Sequence, residues 1–114
     1  MNNKNIEKLI PKAIDLLQKF PKEKVYQGYL ASFGPTVITS GILQAVAFYS
    51  GDDKKKKVIK LMFDLIQDDL KTDKNTLLDF LKENDKYKDY AIKNKILEAS
   101  IACKLAIRTF ELKD

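Results

Sequence analysis

The chain has 114 residues, of which 45% are hydrophobic and 32% are charged, and 21 Lys and Arg against 16 Asp and Glu give a formal charge of +5. It contains no histidine and a single cysteine, Cys103. This composition excludes histidine-based catalysis, histidine-ligated metal sites and an internal disulfide. The positive charge favours an anionic partner such as a nucleic acid, although it also suits an ordinary soluble domain.

Phe20-Pro21 separates the first two predicted helices. Apolar residues recur at helical spacing over residues 6–17. Pro11 interrupts them and predicts either a kink or a helix that begins only at Pro11. The residue before a proline is steered out of the helical region, so the first helix is expected to end at Phe20. Pro21 suits the first turn of a second helix that reaches about Phe33.

The third predicted helix, residues 35–49, lies in an uncharged part of the sequence. Residues 25–51 contain no Asp, Glu, Lys or Arg, which indicates burial on almost every side. Gly34-Pro35 predicts the corner before this helix, because glycine relieves a helix end and proline suits a first turn. Apolar residues all round its circumference are typical of a central helix. We place Phe48 in the core and expect Phe48→Ala to cost about 3–5 kcal/mol.

Gly41 is expected in the middle of that helix. Glycine there costs about 1 kcal/mol relative to alanine. Close contact with a neighbouring helix of the same domain would explain the cost, as would close approach of a partner subunit or an RNA backbone.

Three more helices are predicted in the C-terminal half. Asp52 is expected to cap a fourth helix that reaches about Lys71 and has apolar residues at spacings of three and four. Asn75 is expected to cap a short fifth helix. Asp85 is expected to cap the last helix, residues 86–111, whose two apolar stripes predict two packing partners.

The chain is therefore predicted to be all-α, with one compact domain over residues 1–114 and five to six helices around a central apolar helix. Its densest apolar stretch, residues 37–49, is too short to span the roughly 30 Å of a bilayer core. The first twelve residues lack the apolar centre of a signal peptide. We expect a cytoplasmic protein without a membrane partner, with Cys103 as a small core residue.

No catalytic or metal site is indicated. Ser40 precedes Gly41, but there is no histidine to activate it and no strand–turn–helix elbow around it. Asp64 and Asp68 lie one helical turn apart, yet such pairs on a helix flank are far more often solvated than metal-binding. We expect no enzymatic activity, no cofactor, no metal and no small-molecule substrate.

A run of four lysines, Lys54–Lys57, opens the fourth predicted helix. The four side chains turn through about 300°, so they cannot share one solvent face. Cations near a helix N-terminus also oppose the helix dipole. The run is either a solvated, mobile helix start or a contact for a phosphate backbone.

The remaining basic residues of interest cluster at the first corner and on the last helix, where Lys104 and Arg108 lie one turn apart. Arg108 is the only arginine in the chain. Because arginine is preferred for bidentate reading of bases, its scarcity favours contacts to phosphates over sequence recognition. The candidate nucleic-acid-binding residues are Lys19, Lys22, Lys24, Lys54, Lys55, Lys56, Lys57, Lys104 and Arg108.

Two blocks of the sequence resemble the small α-helical subunit of the type III-B CRISPR effector, the Cmr complex or RAMP module. The first block has an aromatic residue before a short spacer, a proline that opens a helix, a Gly-Leu-like step and a closing Ala-Phe. Here these are Tyr26 or Tyr29, Pro35, Ser40-Gly41-Ile42-Leu43 and Ala47-Phe48. The second block is Tyr90, Glu98-Ala99 and the basic-apolar segment from Lys104 to Arg108. Ser40 stands where the family pattern has asparagine, and the family's usual tryptophan is missing.

The resemblance implies a non-catalytic subunit of an RNA-guided antiviral complex. Several copies would stack beside the other effector subunits, and their basic faces would line the channel for single-stranded target RNA. Related small subunits of type III-A and type I effectors are also helical, so these complexes remain alternatives. A helical protein–protein adaptor without RNA contact is a further alternative. A DNA-binding protein is disfavoured, because no exposed helix carries the Arg, Asn and Gln that read the major groove.

Overall fold

The structure is a computed structural model and describes residues 2–114. These residues form six α-helices and one 3₁₀ helix. They are α1 (Asn3–Leu17), α2 (Lys24–Ser40), α3 (Ile42–Ser50), α4 (Asp53–Leu70), α5 (Leu77–Lys82), the 3₁₀ helix (Glu83–Lys88) and α6 (Tyr90–Ile107). The described residues form no β-strand, only an isolated bridge between Glu23 and Lys113. The predicted all-α, single-domain class is confirmed.

The helix at the centre of the domain is α6. It packs against α1, α2 and α4. Small side chains on it, including Ala99, Ala102 and Ala106, are completely buried and allow the neighbouring helices to approach closely. Cys103 is buried among them, as predicted, and loss of solvation raises the pKa of its thiol to about 12. The sequence predicts the central position for residues 35–49, and in the structure α6 occupies it.

The N-terminus of α1 is tied to α6 by a buried carboxylate. Glu98 accepts hydrogen bonds from the Asn2 backbone N–H at 2.8 Å and from the Asn5 side-chain amide at 3.4 Å. Asn2 in turn caps α1 by accepting from the Lys4 N–H. Because α1 begins at Asn3, Pro11 lies inside the helix, and the expectation of a helix starting at Pro11 is wrong.

The predicted corner at Gly34-Pro35 is also wrong, because α2 continues through it to Ser40. Proline removes one intrahelical hydrogen bond, the one that the carbonyl of Ala31 would accept. Both Ala31 and Pro35 lie on the exposed side of α2, where water can satisfy that carbonyl. The second helix also begins at Lys24, after Pro21 rather than on it.

The break in this region occurs at Gly41 instead. Its φ of 94° and ψ of 159° fall in a region that residues with a side chain rarely adopt. Residues 35–49 therefore form the end of α2 and most of α3. Gly41 separates two helices, and this conformation explains the glycine better than close helix contact does.

Only one face of α2 and α3 is buried. Tyr26, Leu30, Phe33 and Val37 follow helical spacing along the buried side of α2. Phe48, which the sequence predicts in the core, is 62% exposed, so the large cost expected for its removal is wrong. Uncharged sequence thus indicated burial correctly for one side of these helices and incorrectly for the other.

The starts of α5 and α6 differ from expectation by one and four residues, whereas that of α4 does not. Asp52 caps α4, as predicted, by accepting from the Lys54 and Lys55 N–H groups. Thr76, and not Asn75, caps α5. Asp89, and not Asp85, caps α6, because the 3₁₀ helix occupies the preceding residues and Asp85 itself has a left-handed φ of 56°.

The burial difference between two phenylalanines predicts different stability costs. Phe33→Ala should lower the free energy of unfolding by about 3–5 kcal/mol, because Phe33 is completely buried and its ring packs against Tyr49. Phe48→Ala should cost about 1 kcal/mol or less, since most of its ring already contacts water. Urea denaturation of both variants measures the difference, and equal costs would contradict the burial described here.

Two glycine substitutions should have opposite signs. Gly41→Ala should destabilise by about 1–3 kcal/mol, because alanine is strained at this φ and its Cβ would lie 2.8 Å from Gln44 Oε1. Gly28→Ala should stabilise by about 0.5–1 kcal/mol, because Gly28 is inside α2 and an added Cβ meets no atom within 4 Å. Thermal unfolding of the two variants checks both signs.

Candidate nucleic-acid interface

A groove of about 580 Å³ runs between the middle of α4 and the second half of α1, together with residues 19–21 that follow α1. Its apolar floor includes Leu16, Phe20 and Leu61. Its charged residues are Lys12, Asp15, Lys19, Lys57, Lys60 and Asp64. Four lysines against two aspartates leave two net positive charges. We call this surface the α1–α4 groove.

The lysines of the α1–α4 groove come from α1, the segment after it and α4. Lys12 lies in α1 and Lys19 follows two residues after the end of this helix, and both line the groove. Lys57 and Lys60 are three apart on α4. The opposite faces of both helices enter the core through Ala13, Leu17 and residues 58–59, so the lysines must point outward along the seam between the two helices.

Most of these cations are free of ion pairs. Lys60 pairs with Asp64 at 2.8 Å. Among residues 2–114, Lys12, Lys19 and Lys57 form no ion pair with a carboxylate. Unpaired ammonium groups over an apolar floor can contact phosphates with their charges and sugars or bases with the carbon surface beside them.

The lysine run Lys54–Lys57 spreads over different surfaces, as its geometry predicts. Lys54 pairs with Glu23 at 3.1 Å, and this hydrogen bond, with the attraction of the carboxylate, raises the pKa of Lys54. The Lys55 ammonium lies over aromatic rings. Lys56 lines a second groove of about 560 Å³ between α4 and α5. Lys57 lines both grooves.

Lys22, one of the predicted site residues, has partners within the protein. The Lys22 ammonium donates to the carbonyls of Leu17, Gln18 and Phe20, and it thereby caps the C-terminus of α1. It also lies 5.0 Å from the centre of the Phe110 ring. These contacts leave Lys22 less available to a phosphate than its neighbours in sequence.

Lys24 belongs to the same corner of the molecule. Its ammonium pairs with Asp114 at 3.0 Å, and both side chains are largely exposed. Its backbone N–H donates to the carbonyl of Lys113 at 2.8 Å. The C-terminal residues therefore pack against the connection between α1 and α2, and the exposed ion pair can exchange for a phosphate at little cost.

The predicted pair on the last helix lies outside the α1–α4 groove. Lys104 is half-buried in the last turn of α6, and Arg108 is exposed at its C-terminus. The nine predicted residues thus occupy several surfaces. Sequence reasoning missed Lys12 and Lys60, although the spacing of Lys60 from Asp64 could have indicated a shared helix face.

Residues 2–114 contain neither a helix suited to spanning a membrane nor a group of side chains suited to binding a metal ion. None of its helices combines the length and hydrophobicity that a membrane span requires. The same residues contain no group of three or more Cys, Asp or Glu placed to hold a metal ion.

The fold is an all-α domain, and the family to which it belongs is shown by comparison with known families. Residues 1–107 match the family model described as CRISPR-associated protein (Cas_Cmr5). The match spans most of the chain, so the chain belongs to this family and is a small subunit of the Cmr, or type III-B, kind. Neither the curated proteins nor the solved structures include a match.

Proposed function

We propose that this protein is a non-catalytic subunit that lines the target-RNA channel of a type III-B effector complex. Several copies stack in the complex, and each presents its α1–α4 groove to the single-stranded RNA. Base pairing with the guide supplies sequence specificity, so the protein needs only to hold the backbone.

The unpaired lysines of the α1–α4 groove carry this proposal. Lys12 of α1, Lys19 just after α1 and Lys57 of α4 line one groove and form no ion pair among the described residues. Three cations that form no ion pair suit a phosphate backbone. They offer no bidentate reading of bases, which agrees with sequence-independent contact.

One copy offers few phosphate contacts, so the isolated chain should bind RNA weakly. Stacked copies bind the same strand at high effective concentration and hold it firmly without any strong single contact. Lys24, Lys56, Lys104 and Arg108 would extend the contact to neighbouring nucleotides.

The first test replaces Lys12, Lys19 and Lys57 together by glutamine in the assembled complex. Each lost phosphate contact should reduce the slope of log affinity against log salt by about 0.7, so the triple variant should lose up to about 2 in slope. Affinity for target RNA should fall most at low salt. Titration of labelled single-stranded RNA at several salt concentrations measures both quantities.

A matched control removes the same charge elsewhere. Lys71, Lys82 and Lys88 lie at the C-terminal end of α4 and beyond it, and their replacement by glutamine should leave the salt slope unchanged. If both triple variants assemble and bind RNA with the slope of the unchanged protein, the α1–α4 groove does not contact RNA.

A second function, contact with another subunit, is favoured by a different surface. The exposed side of α2 carries Gly28, Ala31, Ser32, Pro35, Ile38 and Thr39, none of which is charged. Ile38 is 78% exposed, which is unusual for so large an apolar side chain. This uncharged α2 face supports the adaptor role, which is compatible with RNA contact through the α1–α4 groove.

The substitution Ile38→Glu separates assembly from RNA binding. A carboxylate on the uncharged α2 face should reduce incorporation into the complex at least tenfold, because an unpaired charge would be desolvated there. The monomer should keep its stability, since Ile38 contacts mainly water. Leu105→Glu, which adds the same charge at an exposed apolar position on α6, is the control. Co-purification with tagged partner subunits measures incorporation, and normal incorporation of Ile38→Glu would remove this face from the interface.

A further inference from the structure

One exposed aromatic ring lies against the lysine run and has no role in the core. Phe48, at the end of α3, is 62% exposed. The Lys55 ammonium lies 4.6 Å from the centre of its ring. The same ammonium is 5.4 Å from the centre of the Tyr29 ring and 5.9 Å from that of Tyr49.

The Phe48 ring packs against Tyr49. Tyr49 is buried, its hydroxyl donates to the Tyr29 carbonyl at 2.7 Å, and its ring meets Phe48 edge-on at a centre-to-centre distance of 6.1 Å. Burial, together with the nearby Tyr29, raises the pKa of Tyr49, which therefore stays neutral. Phe48 is thus supported by a buried neighbour, Tyr49. The exposed part of its side chain, 62%, is accessible to a planar ligand.

We infer that Phe48 and Lys55 form a stacking platform for a base of single-stranded RNA. An exposed aromatic ring beside cations is the arrangement with which proteins bind single strands without reading sequence. The inference rests on the proposed function and adds a base contact to its phosphate contacts. We call these two residues the Phe48 platform.

Charge complementarity favours a nucleic-acid strand over a protein as the occupant. Lys55, whose ammonium lies at the Phe48 ring, forms no ion pair within residues 2–114. Lys54 has one exposed ion pair, with Glu23, that a phosphate can replace. A base stacked on Phe48 therefore has Lys54 and Lys55 available for its neighbouring phosphates.

The chain contains no tryptophan, so Phe48→Trp introduces a single tryptophan whose fluorescence reports on the platform. Titration with oligouridylate should quench this fluorescence as the RNA binds, because a base stacks on the indole. An abasic oligonucleotide of the same length, which retains the phosphates, should quench much less. Tyr90→Trp is the matched control, since Tyr90 is 70% exposed and has the Lys93 ammonium 5.8 Å from its ring. It should not be quenched.

Affinity measurements with two further variants complete the test. Phe48→Ala should weaken binding of oligouridylate about tenfold at every salt concentration and leave the salt slope unchanged, because stacking is not an ionic contact. Phe48→Tyr keeps a flat ring and should bind like the unchanged protein. Each variant is measured in the isolated chain and in the assembled complex.

The outcomes distinguish this inference from the function on which it rests. Salt-dependent RNA binding that is unaffected by Phe48→Ala, with no quenching of the tryptophan variant, overturns the platform alone. Loss of assembly by Phe48→Ala at unchanged RNA affinity also overturns it, and makes Phe48 a protein contact. Absence of RNA binding by the unchanged protein, alone and in the complex, overturns both.

Discussion

The structure depends on the close packing of α6 against three other helices. Ala99, Ala102, Cys103 and Ala106 have no exposed surface. Small side chains allow α1, α2 and α4 to lie near the α6 axis, and each of these helices then buries one face and exposes the other. The arrangement brings the lysine-bearing sides of α1 and α4 together along one seam. The basic groove is thus a consequence of how α6 is packed.

Local signals were reliable where a single residue controls a helix end. Asp52 could be predicted as a cap because aspartate accepts from the free N–H groups of a first turn. Gly34-Pro35 misled because proline is tolerated inside a helix when the freed carbonyl reaches water, and only the packing shows that it does. The sequence predicts Gly41 in the middle of a helix, and this is wrong because its positive φ, which ends α2, cannot be read from the sequence alone.

The candidate site was partly predictable. The sequence predicts lysines as phosphate contacts, and Lys19 and Lys57 do line one groove. It could not show that Lys22 is engaged by three backbone carbonyls, because that contact depends on the path of the chain after α1. Uncharged sequence predicts burial for Phe48, and this prediction is wrong because Phe48 lies on the exposed side of α3. Its exposure beside Lys55 is what suggests a base contact.

The central claim is that the lysines between α1 and α4 grip the backbone of the target strand. A structure of the native effector complex with target RNA bound tests it most directly. We expect the ammonium groups of Lys12, Lys19 and Lys57 within ion-pair distance of phosphate oxygens in the interior copies. A strand that passes over another face of the subunit, with these three lysines in solvent or against a neighbouring protein, would contradict the claim.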